Sequence, residues 1–184
     1  DDGLVFDTDA ATVDIIRDDD EYSGVRVTLT ATLASAKLSL HIDVSIGDPI
    51  WPAPRTVHLP KLLGGTITLA GYPLSMVYAE KVNTRWRDFA DLYILTGRHT
   101  TEGTELRRAL AEVAAYRHVE LSPLADALDG YATLGQARWA AWRRRQHLDD
   151  RVPSSFANVL NEVIAFADPA LQAYVGTHNW DPHT

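Results

Sequence analysis

The 184-residue chain contains no cysteine and only one methionine. The absence of cysteine excludes disulfide bonds and thiolate zinc sites, and it fits a reducing compartment such as the cytoplasm. The sequence also lacks an apolar run long enough to cross a bilayer and a charged-then-apolar leader, so we expect a soluble protein without a membrane partner. The formal net charge of −8 disfavours indiscriminate nucleic-acid binding, because phosphate groups must then be met by a local positive patch.

Hydrophobic residues make up 46% of the chain, enough for one compact core or two small ones. Alternating apolar and polar residues predict strands at 11–17, 25–33, 38–46 and 66–69. Helical periodicity predicts helices at 74–81, 104–116, 122–128, 134–147 and 153–167, the last stopped by Asp168 and Pro169. The predicted fold class is α+β, with a mixed β-sheet flanked by helices in residues 1–99 and a C-terminal helical bundle in residues 100–184.

Residues 79–93 place five charged side chains among hydrophobic anchors: Lys81, Arg85, Arg87, Asp88 and Asp91. If Lys81 and Asp88 lie on one helical surface, with Asp91 one turn beyond Asp88, their charged ends converge. Such a group is typical of a phosphate-handling site. The alternative is an amphipathic helix whose charges are solvated, and both interpretations stay open on this segment alone.

The strand at 38–46 carries an aspartate in its middle. With a period of two, His41, Asp43 and Ser45 share one face, and the apolar residues share the other. A carboxylate on a sheet needs a partner, solvent or a metal to stay ionised, so Asp43 is a candidate ligand. His41 is interpreted as structural or as part of a cleft rim, because no second histidine with ligand spacing accompanies it.

Residues 138–145 interleave arginines with two tryptophans. Arginine binds phosphate and tryptophan stacks on exposed bases, so the pattern predicts RNA binding through Arg138, Arg143, Arg144 and Arg145. Alternatively, Trp139 and Trp142 face the core and leave the arginines as a solvated stripe. The acidic cluster at 18–21 is predicted to be a solvated turn, and so is Asp7-Thr8-Asp9.

Several short motifs stand in a familiar order: YSGVR at 22–26, IDVSIGD at 42–48, LP at 59–60, GYP at 71–73, AEK at 79–81 and RDFADLY at 87–93. Taken together they resemble the AbiEii/MenT family of nucleotidyltransferase toxins, within the polymerase-beta-like superfamily. The resemblance implies transfer of nucleotides from an NTP, for several members onto the 3′ end of tRNA, and neutralisation by a cognate antitoxin encoded beside the toxin.

The resemblance also implies roles for single residues. Asp43 is similar to the third carboxylate of the family's metal triad, which binds Mg²⁺ and activates the attacking hydroxyl. Lys81 would meet the triphosphate, and Arg85 or Arg87 would clamp a phosphate. Asp88 and Asp91 match the last family motif as catalytic residues, and which of them orients the lysine stays open.

Two departures from the family pattern qualify this interpretation. A Gly-Ser followed by a paired Asp-x-Asp should precede the segment that begins at Asp1, and Asp7-Thr8-Asp9 lacks that setting. The stretch between Lys81 and Asn83 is also shorter than in relatives. Either the protein is naturally shorter in both places or residues have been omitted from the sequence, and we expect the second. The alternative function is a catalytically inert module of this fold that binds an antitoxin or RNA. A monomer is the default expectation.

Overall fold

The computed structural model describes residues 3–16, 24–45, 47, 49–82, 85–172 and 180–182. The chain forms two compact units, Asp1–Pro49 and Ile50–Thr184. Strands dominate the first unit, and a β-hairpin with six helices makes up the described part of the second. The predicted α+β class is confirmed. The boundary between the units lies at residue 49, whereas the sequence predicted a division after residue 99.

The first unit is a three-stranded antiparallel meander of β1 (Leu4–Ile16), β2 (Gly24–Leu33) and β3 (Ala36–Ser45), in the order β1-β2-β3. Because β2 and β3 are joined by a tight turn, they pair along their whole length, with Gly24 opposite Ser45 and Leu33 opposite Ala36. The three strands predicted in this part of the sequence are confirmed. The acidic cluster at 18–21 lies outside the described residues.

The prediction of a turn at Asp7-Thr8-Asp9 is wrong, since these residues lie within β1. The pairing register with β2 shifts between Asp7 and Thr12, so the segment bulges out of the ladder without ending the strand. The backbone N–H of Ala10 donates to Asp7 Oδ1 at 3.1 Å, a local bond that stabilises the bulge. The turn-like composition of Asp7-Thr8-Asp9 therefore corresponds to a bulge inside a longer strand.

The predicted alternation of β3 is confirmed by its pairing with β2. On one face Leu40 lies opposite Leu29 and Ile42 lies opposite Val27, while on the other Asp43 lies opposite Arg26. Each face thus matches apolar with apolar and polar with polar residues. The apolar face is exposed at Ile42, which keeps 51% of its accessible surface.

A hairpin of β4 (Arg55–Pro60) and β5 (Thr66–Gly71) opens the second unit. Of these two strands, the sequence predicted only β5. Strand β4 is short, follows Pro54 and ends at Pro60, and prolines are typical of loops and strand ends. All pairings among the described strands are antiparallel, which follows from the short connections between consecutive strands. The sequence predicted a single sheet, but the described strands form two sheets, one of three strands and one of two.

The helices of the second unit are α1 (Leu74–Lys81), α2 (Trp86–Thr96), α3 (Gly103–Tyr116), α4 (Leu124–Ala127), α5 (Tyr131–Arg145) and α6 (Phe156–Leu171). The predicted end of α6 at Asp168 and Pro169 is wrong, since the helix continues to Leu171. Pro169 removes one N–H donor only two residues before the helix ends, where the loss matters little. Asp168 also accepts hydrogen bonds from the N–H groups of Leu124 and Ala125 at 2.6 and 3.2 Å, which ties this last turn to α4.

The core of the second unit is organised around α6, which packs against α2, α3, α4 and α5, while α1 packs against α3 and α2. Phe156 is fully buried, and its ring contacts those of Trp86, Phe89, Tyr131 and Trp139. Full burial of a phenylalanine side chain, as for Phe156 and Phe89, stabilises a fold by about 1.5–3 kcal/mol. This core holds α1 and α2 rigidly where their charged residues meet.

Gly135 of α5 allows the close approach of α5 to α6. A Cβ atom at this position would lie 2.8 Å from Cε1 of Phe156, so any larger residue would push the two helices apart.

No helix in the described ranges has the length and apolar character needed to cross a membrane.

Candidate functional site

Lys81 and Asp88 belong to two different helices, contrary to the expectation of one helical surface. Lys81 is the last residue of α1, and Val82 leaves the helix with ψ 78°. Arg85 is extended, with φ −83° and ψ 138°, and α2 begins at the next residue. No proline or glycine marks this break in the sequence.

The charged ends of these residues nevertheless converge, as expected. Nζ of Lys81 lies 2.6 Å from Oδ2 of Asp91 and 3.5 Å from Oδ1 of Asp88. The two aspartates are three residues apart on α2 and therefore share a face. The corner between α1 and α2 thus holds one ammonium group between two carboxylates.

Asp88 is the buried member of this group, with a side chain that is 3% exposed. Its second oxygen, Oδ2, accepts a hydrogen bond from Nε of Arg85 at 2.7 Å. A buried carboxylate must be paired, and Asp88 also lies in the first turn of α2, where the helix dipole favours negative charge. The exposed fraction is larger for Lys81, at 22%, and for Asp91, at 37%, so both can be reached by a ligand.

Arg87 is exposed and, with Lys81 and Asp91, lines a cavity of about 500 Å³. Lys81 has three N–H donors, of which one donates to Asp91 at 2.6 Å, while Asp88 forms an ion pair with the same ammonium group at 3.5 Å. The ammonium group therefore keeps donors for a phosphate oxygen. A fixed ammonium beside an exposed arginine can bind a phosphate group and stabilise charge that develops on it.

Asp43 lies in the first unit and is bound by the residue opposite it on β2. Nε and Nη2 of Arg26 donate to Oδ1 and Oδ2 of Asp43 at 2.7 and 2.8 Å. These hydrogen bonds, together with the negative charge of Asp43, raise the pKa of the Arg26 guanidinium above its ordinary value. His41 faces Thr28 in the same ladder, with 3.1 Å between Nδ1 and Oγ1, which fits the structural role.

The described residues do not fit a magnesium site by themselves. Within the described ranges, no three histidine, cysteine or acidic side chains come close enough together to hold a metal ion. Both oxygens of Asp43 are engaged by Arg26, and Asp88 is engaged by Lys81 and Arg85. The role of Asp43 as a metal ligand stays a prediction.

The tryptophans of α5 face the core. Trp139 is fully buried and its Nε1–H donates to the carbonyl of Pro153 at 3.0 Å, while the half-buried ring of Trp142 stacks on it. Arg143 is 14% exposed, donates from Nε to the carbonyl of Val152 at 2.8 Å and pairs with Asp149 at 2.6 Å. Its guanidinium therefore holds the turn that follows α5.

The other three predicted RNA-binding residues, Arg138, Arg144 and Arg145, are exposed on α5. Sequence reasoning missed Arg98 and Arg151, which line the same cavity as Lys81. Arg98 follows α2 and Arg151 lies in the turn before α6, and no local motif connects positions so far apart in sequence.

A family model described as "Nucleotidyl transferase AbiEii toxin, Type IV TA system" matches residues 1–169. No curated protein and no solved structure is significantly similar to the chain. The family match covers most of the sequence, and the chain belongs to the AbiEii family of nucleotidyltransferase toxins from type IV toxin–antitoxin systems. The resemblance inferred from the order of the motifs is confirmed.

Proposed function

We propose that this AbiEii-family nucleotidyltransferase uses an NTP to add nucleotides to the 3′ end of a tRNA and thereby blocks translation. Family membership supports the transfer of a nucleotide and the existence of an antitoxin partner. The observation that supports the location of the site is Lys81, fixed between two carboxylates and beside a cavity that could accept a nucleotide. NTPs and tRNA are cytoplasmic, so the proposal includes that compartment.

In the proposed reaction, the 3′-hydroxyl of the acceptor gives its proton to solvent, and its oxygen attacks the α-phosphorus of the NTP. A new phosphodiester bond forms, the bond to the β-phosphate breaks, and pyrophosphate leaves. Lys81 stabilises the charge that develops on the leaving phosphates, and Arg85 or Arg87 clamps a phosphate through paired hydrogen bonds. Because these interactions strengthen as the bond breaks, they accelerate the reaction and do not merely bind the donor.

Asp88 and Asp91 have different roles in this proposal. Asp88 is buried and paired on both oxygens, so it positions the ammonium of Lys81. Asp91 is accessible and holds Lys81 at the shorter distance, 2.6 Å. Asp91 is the one of the two aspartates that lines the cavity, so it can also face the bound nucleotide.

Nucleotidyltransferases generally use a divalent metal ion. On the basis of the family resemblance, we propose that this ion is Mg²⁺ and that Asp43 is one of its ligands. The described carboxylates supply no complete site for it, so no step is assigned to the metal here. Exposed Arg138, Arg144 and Arg145 of α5 are proposed to contact the phosphates of the acceptor. We propose that the chain acts as a monomer that its antitoxin binds.

The pairing of Asp43 with Arg26 favours a second candidate, an inert module of the same fold that binds an antitoxin or RNA. A metal ion would have to displace the arginine from both oxygens of this carboxylate.

One experiment separates the two candidates. The full-length protein is incubated with each α-labelled NTP, Mg²⁺ and total tRNA, and the RNA is separated on a denaturing gel. Label on tRNA that disappears when the tRNA is first oxidised at its 3′ end supports nucleotidyl transfer to that end. Protein that binds tRNA but transfers no label from any of the four NTPs contradicts the proposal and favours the inert module.

A further inference from the structure

The cavity beside Lys81 is bounded by α2, by the end of α5 and by the turn that follows α5. Among the described residues, its lining includes the four cationic side chains of Lys81, Arg87, Arg98 and Arg151 and one carboxylate, that of Asp91. The chain as a whole carries a net charge of −8, so this concentration of positive charge is a local feature of the second unit. Such an imbalance favours an anionic ligand.

The three arginines of this cavity are available for a ligand. In the part of the chain that the structure describes, no carboxylate lies within 4.0 Å of the guanidinium groups of Arg87, Arg98 or Arg151. All three side chains belong to exposed residues. Arg85 and Arg143, by contrast, each form an ion pair with an aspartate, and neither lines this cavity.

A second cavity, of about 460 Å³, shares Arg98 and Arg151 but includes the acidic residues Asp150 and Glu162. Carboxylates repel a phosphate group, so an anion is disfavoured on that side. The phosphate-binding side of the two arginines is therefore the one that faces Lys81.

The rest of the lining suits a planar ring. Trp142 is half-buried, and it stacks on Trp139 with ring centroids 5.3 Å apart and an interplanar angle of 28°. This stacking fixes the orientation of Trp142 where it lines the cavity beside Ile94. A fixed indole and an aliphatic wall can contact a nucleobase, and cationic side chains can bind its phosphates.

We propose that Arg98 and Arg151 contact the phosphate chain of the NTP donor in this cavity and that Trp142 contacts its base, three further binding residues for the proposed reaction. The inference rests on the proposed function, since Lys81 is the shared residue. A volume of about 500 Å³ suits one small ligand, whereas an RNA strand needs an open groove. The exposed arginines proposed for RNA, Arg138, Arg144 and Arg145, do not line this cavity.

The test measures binding of each NTP to the full-length protein by calorimetry, without RNA, so that affinity is separated from transfer. Arg98→Gln and Arg151→Gln should each weaken binding at least about tenfold, because each removes a charge-assisted hydrogen bond to phosphate. Arg107→Gln is the control, because Arg107 lies on α3 and outside the cavity. It removes the same charge and should leave the NTP affinity unchanged.

Inorganic triphosphate serves as a probe without a base. Trp142→Phe should weaken NTP binding several-fold and leave triphosphate binding unchanged, whereas the two arginine variants should weaken both. Thermal unfolding of every variant shows whether the fold is intact. Arg98→Gln and Arg151→Gln remove exposed side chains and should unfold at the wild-type temperature.

Two outcomes would overturn the inference. If the wild-type protein binds NTP and both arginine variants retain its affinity, the donor lies elsewhere while the proposed function still stands. If the variants keep their NTP affinity but lose affinity for tRNA in a separate titration, the cavity belongs to the acceptor. A wild-type protein that binds no NTP and transfers no label would instead refute the proposed function itself.

Discussion

The ammonium group of Lys81 lies 3.5 Å from the carboxylate of Asp88, which is almost completely buried between α1 and α2. Arg85 binds the other oxygen of the same carboxylate from the residue before α2. One buried negative charge therefore joins the end of one helix to the start of the next. The contact that fixes the corner of the fold also orients the lysine proposed to meet the triphosphate.

The first prediction concerns the rate contribution of Lys81. Lys81→Ala should lower nucleotide transfer by on the order of 100-fold or more, because the charge acts chiefly on the phosphates as the bond breaks. Lys61→Ala, which removes an exposed lysine in the turn between β4 and β5, should leave the rate unchanged. Both variants are assayed with labelled NTP and tRNA. Equal rates for the two variants would remove Lys81 from the site.

The second prediction separates the two aspartates by stability. Asp88→Asn should lower the free energy of unfolding by about 1–3 kcal/mol, because Asp88 is buried and two cations lose their partner. Asp91→Asn should cost less than about 1 kcal/mol, because that pair is partly exposed to solvent. Urea denaturation measures both values. If Asp91→Asn lowers the free energy of unfolding more than Asp88→Asn does, then burial does not determine which aspartate stabilises the corner between α1 and α2.

Local signals in the sequence predicted some elements well. The bounds of α1 agree with the prediction at both ends, because Pro73 fixes its start and the charged Lys81 marks its end. The alternation of β3 correctly gave the face that carries Asp43. Charged residues in segment 79–93 were expected to converge, and they do.

Other features depend on contacts that no local pattern contains. The break between α1 and α2 has no proline or glycine that would have predicted it, although both helices contribute residues to the core. Pro169 was expected to stop α6, but tertiary bonds from Asp168 to α4 hold its last turn. Arg98 and Arg151 meet at one cavity although 52 positions separate them, since α5 and the turn after it fold back onto α2.

The third prediction tests Asp43 against its partner. If Asp43 binds a metal ion, Asp43→Asn should abolish transfer, while Arg26→Gln should retain it because the carboxylate is then released from its ion pair. Both side chains are about 40% exposed, so neither change should shift the midpoint of urea denaturation appreciably. The assay varies the Mg²⁺ concentration for each variant. Equal loss of transfer in both variants would indicate that the ion pair itself is what matters.

The fourth prediction concerns the arginines of α5. The double variant Arg144→Gln, Arg145→Gln removes two exposed charges and should weaken tRNA binding. Its salt dependence should become shallower by about 0.7–0.9 per lost phosphate contact in a plot of log affinity against log salt concentration. NTP affinity should not change, since neither residue lines the cavity beside Lys81.

Arg143→Gln provides the comparison, because Arg143 is bound to Asp149 and to the carbonyl of Val152. Its loss should destabilise the turn after α5 by about 1–3 kcal/mol, and any effect on tRNA should follow from that change. The tRNA affinity and the salt slope of the double variant are therefore the decisive measurements. If both equal the wild-type values, α5 contributes packing through its tryptophans and a solvated face through its arginines, and the acceptor binds elsewhere.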